Sequence, residues 1–175
     1  MTVAQILLER IRREGSIQGE VIKVDTFLNH MVDPQLIRQI GADIAARFTN
    51  RGITKILTAE SSGIILAQAV ATDMNIPFIY AKKKRPITMK KFYAASSYSF
   101  TKQEGTTLYI SHEVLLPGDK ILFVDDFFAK GSTFKTLSEI IRQARAELVG
   151  SAVIINKSQR QDIESILTLD DLKTI

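Results

Sequence analysis

The sequence predicts an α/β fold with a doubly wound, mainly parallel sheet and flanking helices. Two observations support this prediction: short apolar runs alternate with segments of helical periodicity, and polar loops follow several of the runs. Strands that alternate with helices form parallel sheets through right-handed crossovers, which place helices on both faces. At 175 residues, we expect one domain spanning 1–175, with room for a full core.

Two segments depart from a plain doubly wound sheet. In one of them, strand-like runs at 93–100 and 107–112 straddle a polar turn at 102–105 and predict a β-hairpin. The other is the N-terminal segment, about residues 1–32. We expect both to lie over the ligand edge of the sheet, with the hairpin as a lid that excludes water.

The remaining elements follow from local signals. Residues 3–14 form an amphipathic pattern that Gly15 stops, and Asp33 followed by Pro34 begins a second helix that ends before Gly52. The other predicted elements are strands at 21–24, 55–58, 78–81, 121–125, 149–155 and 163–167 and helices at 63–74 and 133–146.

Composition narrows the class of protein. Hydrophobic residues make up 45% of the chain and charged residues 24%, as in globular domains, and no apolar run is long enough to span a membrane. The first 15 residues include acidic side chains, so we expect neither a signal peptide nor an anchor. The lack of cysteine excludes disulfides and Cys-based zinc sites and fits the cytoplasm. The net charge of +4 is explained equally well by binding of small anionic substrates and by binding of nucleic acid. We expect neither nucleic acid nor a membrane as a partner.

The most informative segment is 121–137. Asp125 and Asp126 follow a buried apolar run, at the strand end where open α/β sheets bind ligands. The loop that then begins a helix consists of Ala129, Lys130, Gly131, Ser132 and Thr133. Its unpaired N–H groups, the positive end of the helix dipole and two hydroxyls favour a phosphate. The two carboxylates suit ribose hydroxyls and, through ribose or water, a magnesium ion. The alternative is an ordinary Asp N-cap, which needs only one aspartate.

A second loop of the same kind contains Ser61, Ser62 and Gly63. It lies between a predicted strand and a predicted helix and is a second candidate anion site, with an ordinary Ser cap as the alternative. Lys82 and Lys83 follow another strand at the same edge, where their charge would neutralise a leaving anion. The alternatives are a solvated charge run and a nucleic-acid patch, and the pattern leaves open which lysine of 82–84 faces the ligand.

Several segments together resemble the bacterial xanthine phosphoribosyltransferases, which belong to the type I purine phosphoribosyltransferases. The loop at 121–137 resembles the family's site for phosphoribosyl diphosphate (PRPP). The matching segments are KVDTFLNHMVDP (23–34), GITKILTAESSGI (52–64), the lysines at 82–84, YSFTK (98–102), VDDFFAKG (124–131) and NKS (156–158).

The resemblance implies transfer of a phosphoribosyl group from PRPP to N9 of xanthine, giving XMP and pyrophosphate, with Mg²⁺. It implies that the loop at 129–133 holds the 5′-phosphate, and the second loop with the lysines then serves pyrophosphate. It assigns base contacts to Ile22, Asn29 and Lys157. It also implies a homodimer and a hood over the ligand edge, built from about 1–32 plus the C-terminal segment. A lysine after a strand end suits xanthine, which carries a 2-oxo group and is partly anionic near neutral pH.

The sequence departs from the family pattern at several positions. Ala129 stands where hypoxanthine-guanine enzymes carry Asp, which argues against that branch. Lys130 replaces the usual Asn, Gln159 replaces an aromatic residue, and the family tail extends beyond the position of Ile175. An adenine or guanine/hypoxanthine enzyme of the same fold therefore stays open as an alternative. So does a PRPP-sensing regulator without turnover, although only about thirty residues precede the second helix, too few for a DNA-binding domain.

Overall fold

The computed structural model describes residues 1–19, 21–99 and 104–174. The strands are β1 (Ser16–Gln18), β2 (Val21–Lys23), β3 (Lys55–Ala59), β4 (Phe78–Ala81), β5 (Phe92–Ser99), β6 (Glu104–Ser111), β7 (Lys120–Phe128), β8 (Glu147–Asn156) and β9 (Glu164–Thr168). The helices are α1 (Val3–Glu14), α2 (Pro34–Arg47), α3 (Gly63–Met74), α4 (Ser132–Gln143) and α5 (Leu169–Leu172), with a π-helical turn at Asp25–Asn29.

The central sheet is parallel and has the strand order β4-β3-β7-β8-β9. The predicted α/β fold is therefore confirmed, and all five strands end at one edge. β7 pairs with β3 only as far as Phe123 but with β8 as far as Phe128. Residues 124–128 consequently extend past the pairing with β3, and they carry the acid pair.

Other elements cover both faces of this sheet. One face packs against α1, α2 and α3, together with Leu122 and Val124 of β7. The opposite face packs against α4 and the β5–β6 hairpin, together with Ile121 and Phe123. Because successive side chains of a strand point to opposite faces, a strand covered on both sides is apolar without a break. Within the described part of the chain, no helix has the length and apolar character needed to cross a membrane.

The predicted start of α2 is confirmed in detail. The Asp33 carboxylate accepts hydrogen bonds from the N–H groups of Gln35 at 2.9 Å and Leu36 at 3.1 Å, and Pro34 is the first helical residue. α1 ends where predicted, with the N–H of Gly15 donating to the Ile11 carbonyl.

Several element ends differ from the prediction. Val24 is not part of β2, since it precedes the π-helical turn and is buried. α4 ends at Gln143 rather than at residue 146, because Arg145 adopts a left-handed backbone with a φ of 56°. β1 and α5 were not predicted, because segments of three or four residues carry too little periodicity.

The inserted hairpin is confirmed, but β6 begins at Glu104, earlier than predicted. β5 and β6 pair antiparallel through Tyr98–Gly105 and Ser99–Glu104, so Gly105 lies in a strand and not in a turn. Before these pairs, Thr106 faces Ser97 and Thr107 faces Ser96, and threonine favours strands. The Ser96 and Thr107 hydroxyls share a hydrogen bond of 2.8 Å. The tip of the predicted lid, 100–103, lies outside the described residues.

Candidate active site

Loops that follow neighbouring strands meet at the carboxyl edge of the sheet. They line one cavity of about 370 Å³. The loop after β3 provides Ser61 and Ser62, the loop after β4 provides Lys83, and β7 provides both aspartates. Its other polar lining residues are Glu60, Ser97, Thr106, Ser132, Thr133 and Thr136. The structure thus brings together the acid pair, both predicted anion loops, one predicted lysine and the hairpin.

The acid pair is held by its own backbone. The Asp126 N–H donates to Asp125 Oδ1 at 2.9 Å, and the Phe127 N–H donates to Asp126 Oδ1 at 2.9 Å. Asp126 is buried, with 8% of its surface exposed. Each carboxylate therefore has one oxygen fixed by the next peptide group, which orients the side chain before any ligand binds.

Burial of this pair changes the acidity of Asp125. Removal from water raises the pKa of Asp125 to about 8, and the nearby charge of Asp126 acts in the same direction. The Asp126 N–H and the positive charge of Lys83 oppose the rise. The ionised form is consequently costly in the free protein, and a ligand that offers cations or hydroxyl donors would relieve this cost.

The loop at 129–133 has the geometry of an anion site. All five predicted residues line a cavity of about 170 Å³. Among the described residues no side chain caps α4, so its first N–H groups are available to a ligand. Gly131 precedes the helix with a φ of 71°, and a Cβ there would lie 2.8 Å from Phe128 Cζ. The loop can therefore turn this tightly only with glycine at 131.

The second loop has a related geometry at the start of α3. Its Glu60–Ser61 peptide bond is cis. Ser62 precedes the helix, but its side chain makes no capping hydrogen bond, so the alternative of an ordinary Ser cap is wrong. A Cβ at Gly63 would lie 2.1 Å from Thr58 Oγ1 and 2.8 Å from Asp125 Oδ1. Glycine is thus required here because the helix start packs directly against the acid pair.

The two predicted lysines occupy different environments. Lys83 lines the cavity, and its backbone N–H donates a hydrogen bond to the Glu60 carboxylate. The backbone of Lys82 pairs with Tyr109, and its Nζ lies 4.7 Å from the centre of the Tyr80 ring. The geometry therefore places Lys83 at the cavity.

The turn after β8 presents Lys157. Asn156 Oδ1 accepts hydrogen bonds from the N–H (2.9 Å) and the hydroxyl (2.8 Å) of Ser158. The N–H of Lys157 donates to the Phe128 carbonyl at 2.7 Å, and its Nζ lies 5.0 Å from the centre of the Phe127 ring. Phe127 also lines the cavity, so Lys157 contacts a residue that lines the same cavity as the acid pair.

The other predicted base contacts lie on the N-terminal segment. Ile22 is in β2 and packs against the core of the α1–α3 face, and Asn29 ends the π-helical turn. Neither residue lines the cavities described above. Gln159 is exposed and lines a neighbouring cavity of about 460 Å³. The roles of Ile22 and Asn29, and the hood, stay predictions.

The acid pair also offers oxygen atoms that could serve as ligands of a magnesium ion. Mg²⁺ prefers oxygen ligands and commonly takes one or two carboxylates together with substrate phosphates and water. Asp125 and Asp126 offer such oxygens at the cavity. Across residues 1–19, 21–99 and 104–174, no group of three or more His, Cys, Asp or Glu side chains could hold a metal ion. The two carboxylates at the cavity fit an ion that arrives with a phosphorylated substrate.

Sequence reasoning missed four residues of this region. Phe127 directly follows the acid pair, and its aromatic side chain could have been noticed there. Ser97 and Thr106 face each other across the hairpin and line the cavity. Thr58 lies within the strand predicted at 55–58, and no local signal distinguishes it.

Residues 24–169 match the family model described as a phosphoribosyl transferase domain. The chain belongs to the phosphoribosyltransferase family. A xanthine phosphoribosyltransferase of Heliobacterium modesticaldum is 45% identical over 154 residues, which cover 87% of this chain and 82% of that protein. One of Geobacillus thermodenitrificans is 44% identical over 154 residues, with 87% and 79% covered. The resemblance expected from the sequence is confirmed.

Solved structures of adenine phosphoribosyltransferases share the fold. That of Leishmania donovani has a TM-score of 0.78 at 17% identity and covers 98% of this chain and 82% of its own. That of Rhodothermus marinus has a TM-score of 0.73 at 21% identity and covers 94% and 99%. These likenesses establish the architecture of the phosphoribosyltransferase and nothing about its base.

Replacing Asp125 with Asn should stabilise the free phosphoribosyltransferase at pH 8. The pKa of Asp125 is raised on folding, so the wild type loses stability as the pH rises from the ordinary aspartate value towards about 8. Asparagine keeps the acceptor for the Asp126 N–H without the charge. We expect a gain on the order of 2 kcal/mol in unfolding free energy at pH 8 that disappears by about pH 4. Urea unfolding at both pH values measures it.

Asp170→Asn is the matched control. Asp170 is exposed and pairs with Lys173, so its replacement should give no gain at either pH. If Asp125→Asn is no more stable than the wild type at pH 8, the acidity assigned to Asp125 is contradicted.

Proposed function

We propose that this phosphoribosyltransferase transfers the 5-phosphoribosyl group of PRPP to N9 of xanthine and so forms XMP and pyrophosphate in purine salvage. The observation that supports it most is the single cavity of about 370 Å³ in which an acid pair lies between two helix starts. Family membership supports the PRPP-dependent reaction. Relatives named xanthine phosphoribosyltransferase, at 42% to 45% identity, support the base.

PRPP needs hydrogen-bond donors or positive charge for the phosphate groups at its two ends. It needs hydrogen-bond acceptors for the ribose hydroxyls between them. We assign the 5′-phosphate to the loop Ala129–Thr133, whose N–H groups begin α4. Asp125 and Asp126 accept hydrogen bonds from the ribose hydroxyls. Ser61, Ser62, Gly63 and Lys83 hold the pyrophosphate, and the backbone-paired Lys82 contributes charge at longer range.

The reaction breaks the bond between C1′ and the pyrophosphate oxygen and forms a bond from C1′ to N9, while the N9 proton passes to the departing pyrophosphate. Charge develops on the sugar and on the leaving group, so catalysis is mainly positioning and electrostatic stabilisation without a covalent intermediate. Lys83 neutralises negative charge on the leaving group. The loop at 129–133 contains no carboxylate, so it supplies no general base. The hairpin residues Ser97 and Thr106 cover the cavity and limit access of water.

We further propose that Mg²⁺ accompanies PRPP. Bound there, it would neutralise pyrophosphate charge, and Asp125 and Asp126 would hold it through ribose hydroxyls or water. We also propose that the protein is a homodimer located in the cytoplasm. The family resemblance supports the dimer, and the lack of cysteine supports the cytoplasm.

The base site is assigned to Lys157, Ile22 and Asn29. The Lys157 ammonium suits the 2-oxo group and the partial negative charge of xanthine. Phe127, which lies under this ammonium and beside Asp126, offers an apolar ring to the flat base.

A turnover assay tests the function. PRPP and Mg²⁺ are supplied with xanthine, hypoxanthine, guanine or adenine in turn, and nucleotide formation is measured. We expect the highest kcat/KM with xanthine. A preference for another purine would overturn the base assignment, and PRPP binding without turnover on any base would favour the PRPP-sensing regulator.

Gly131→Ala should remove most of the PRPP affinity. The added Cβ would meet Phe128 Cζ at 2.8 Å and occupy the loop that wraps the 5′-phosphate, so we expect a loss of roughly tenfold or more. Titration calorimetry with PRPP and Mg²⁺ measures it.

Gly118→Ala is the matched control. Gly118 has a similar positive φ of 81°, but nothing lies within 4 Å of the position of its Cβ, and it precedes β7 at the opposite end from the cavity. Both variants carry a left-handed alanine, which costs about 1–2 kcal/mol of stability. Only Gly131→Ala should lose PRPP, and equal affinity in both variants would exclude the loop as the phosphate site.

Lys157→Met should lower activity on xanthine more than on hypoxanthine, which lacks the 2-oxo group. A hydrogen bond to a charged group contributes about 1.5–3 kcal/mol, so discrimination should fall roughly ten- to a hundred-fold. The measurement is kcat/KM for both bases at one saturating PRPP concentration, with hypoxanthine as the internal control. Equal losses on the two bases would move base selection to Ile22 and Asn29.

A further inference from the structure

Thr58 carries a polar group in an unusual environment. It lies in β3 between Leu57 and Ala59, with no exposed surface. Its hydroxyl oxygen has no hydrogen-bond partner among the residues that the structure describes. Buried hydroxyls are nearly always paired, because an unpaired one loses its bonds to water and gains nothing in return. Valine has almost the same shape and would avoid this cost.

The surroundings of the hydroxyl connect it to the acid pair. Thr58 Oγ1 and Asp125 Oδ1 both lie within 2.8 Å of the point where a side chain would begin at Gly63. Because Gly63 has no side chain, it places no side-chain atom between Thr58 Oγ1 and Asp125 Oδ1. Asp125 Oδ1 is the oxygen that accepts the Asp126 N–H, so the hydroxyl faces the inner side of the carboxylate.

We propose that Thr58 is a positioning residue for Asp125: when PRPP engages this carboxylate, the Thr58 hydroxyl donates a hydrogen bond to its inner oxygen and fixes the direction of its outer oxygen towards the ribose. In the free protein, the Thr58 hydroxyl is buried near Asp125 without a hydrogen-bond partner among the described residues, which lowers the stability of the fold. A hydroxyl donor also adds no charge beside the acid pair. This inference rests on the proposed function, since it needs PRPP as the ligand of Asp125.

The test compares Thr58→Val, Thr58→Ser and the wild type. Valine keeps the shape and removes the donor, while serine keeps the donor. Thermal unfolding without ligand is measured first, and then kcat/KM for PRPP and KM for xanthine. Ser151→Ala is the control for loss of a buried hydroxyl, because Ser151 lies in β8 opposite Phe123 and away from the ligand edge.

Opposite changes in stability and activity are expected for Thr58→Val. Its melting temperature should equal or exceed that of the wild type, because the unpaired hydroxyl is gone. Its kcat/KM for PRPP should fall roughly tenfold or more, as for loss of a hydrogen bond to a charged group, with KM for xanthine nearly unchanged. Thr58→Ser should restore most of the activity, and Ser151→Ala should keep wild-type activity.

Two outcomes would overturn the proposal. One is a Thr58→Val variant with wild-type kcat/KM for PRPP. The other is equal loss of activity and of melting temperature in the valine and serine variants, which indicates that Thr58 serves packing alone. Absence of turnover in the wild type would instead count against the proposed function, so the two failures are distinguishable.

Discussion

The close approach of helix α3 to the ends of β3 and β7 is the constraint on which the site depends. At Gly63 a side chain would come within 2.1 Å of Thr58 and 2.8 Å of Asp125, so these three elements meet only because a glycine begins the helix. The approach brings the loop Ser61–Ser62 beside the acid pair. It also helps to shield the half-buried Asp125 from water, and this loss of water raises the pKa of its carboxyl group.

The cavity combines groups that repel one another with groups that compensate. Two adjacent carboxylates lie at the end of β7, where Asp126 is buried and Asp125 is half-buried, and loss of water around Asp125 raises its pKa. Compensation comes from the uncapped starts of α3 and α4 and from Lys83, which point donors and positive charge into the same space. A ligand with anions at both ends and hydroxyls between them satisfies all of these groups at once. The free protein is thus less stable than it would be without charge at the site.

Much of this region was predictable because its signals are local. The apolar run 121–124, the two aspartates and the loop with Gly131 adjoin one another in sequence, and each has a direct physical meaning. Asp33 and Pro34 marked the start of α2 in the same way. Predictions failed where pairing between distant segments decided the outcome: Gly105 looked like a turn residue, but its ladder with Tyr98 holds it in β6.

The sequence by itself determined the main strands and helices, the parallel sheet and the position of the two candidate anion loops and the acid pair, since these depend on neighbouring residues and on periodicity. Only the tertiary structure decided that Lys83 rather than Lys82 lines the cavity, because β4 pairs Lys82 with Tyr109 of the hairpin. It likewise placed the Phe127 ring against both Lys157 and the cavity, and it left the Thr58 hydroxyl near Gly63 without a hydrogen-bond partner among the described residues. Such contacts join residues that lie far apart along the chain, and no pattern within a single segment records them.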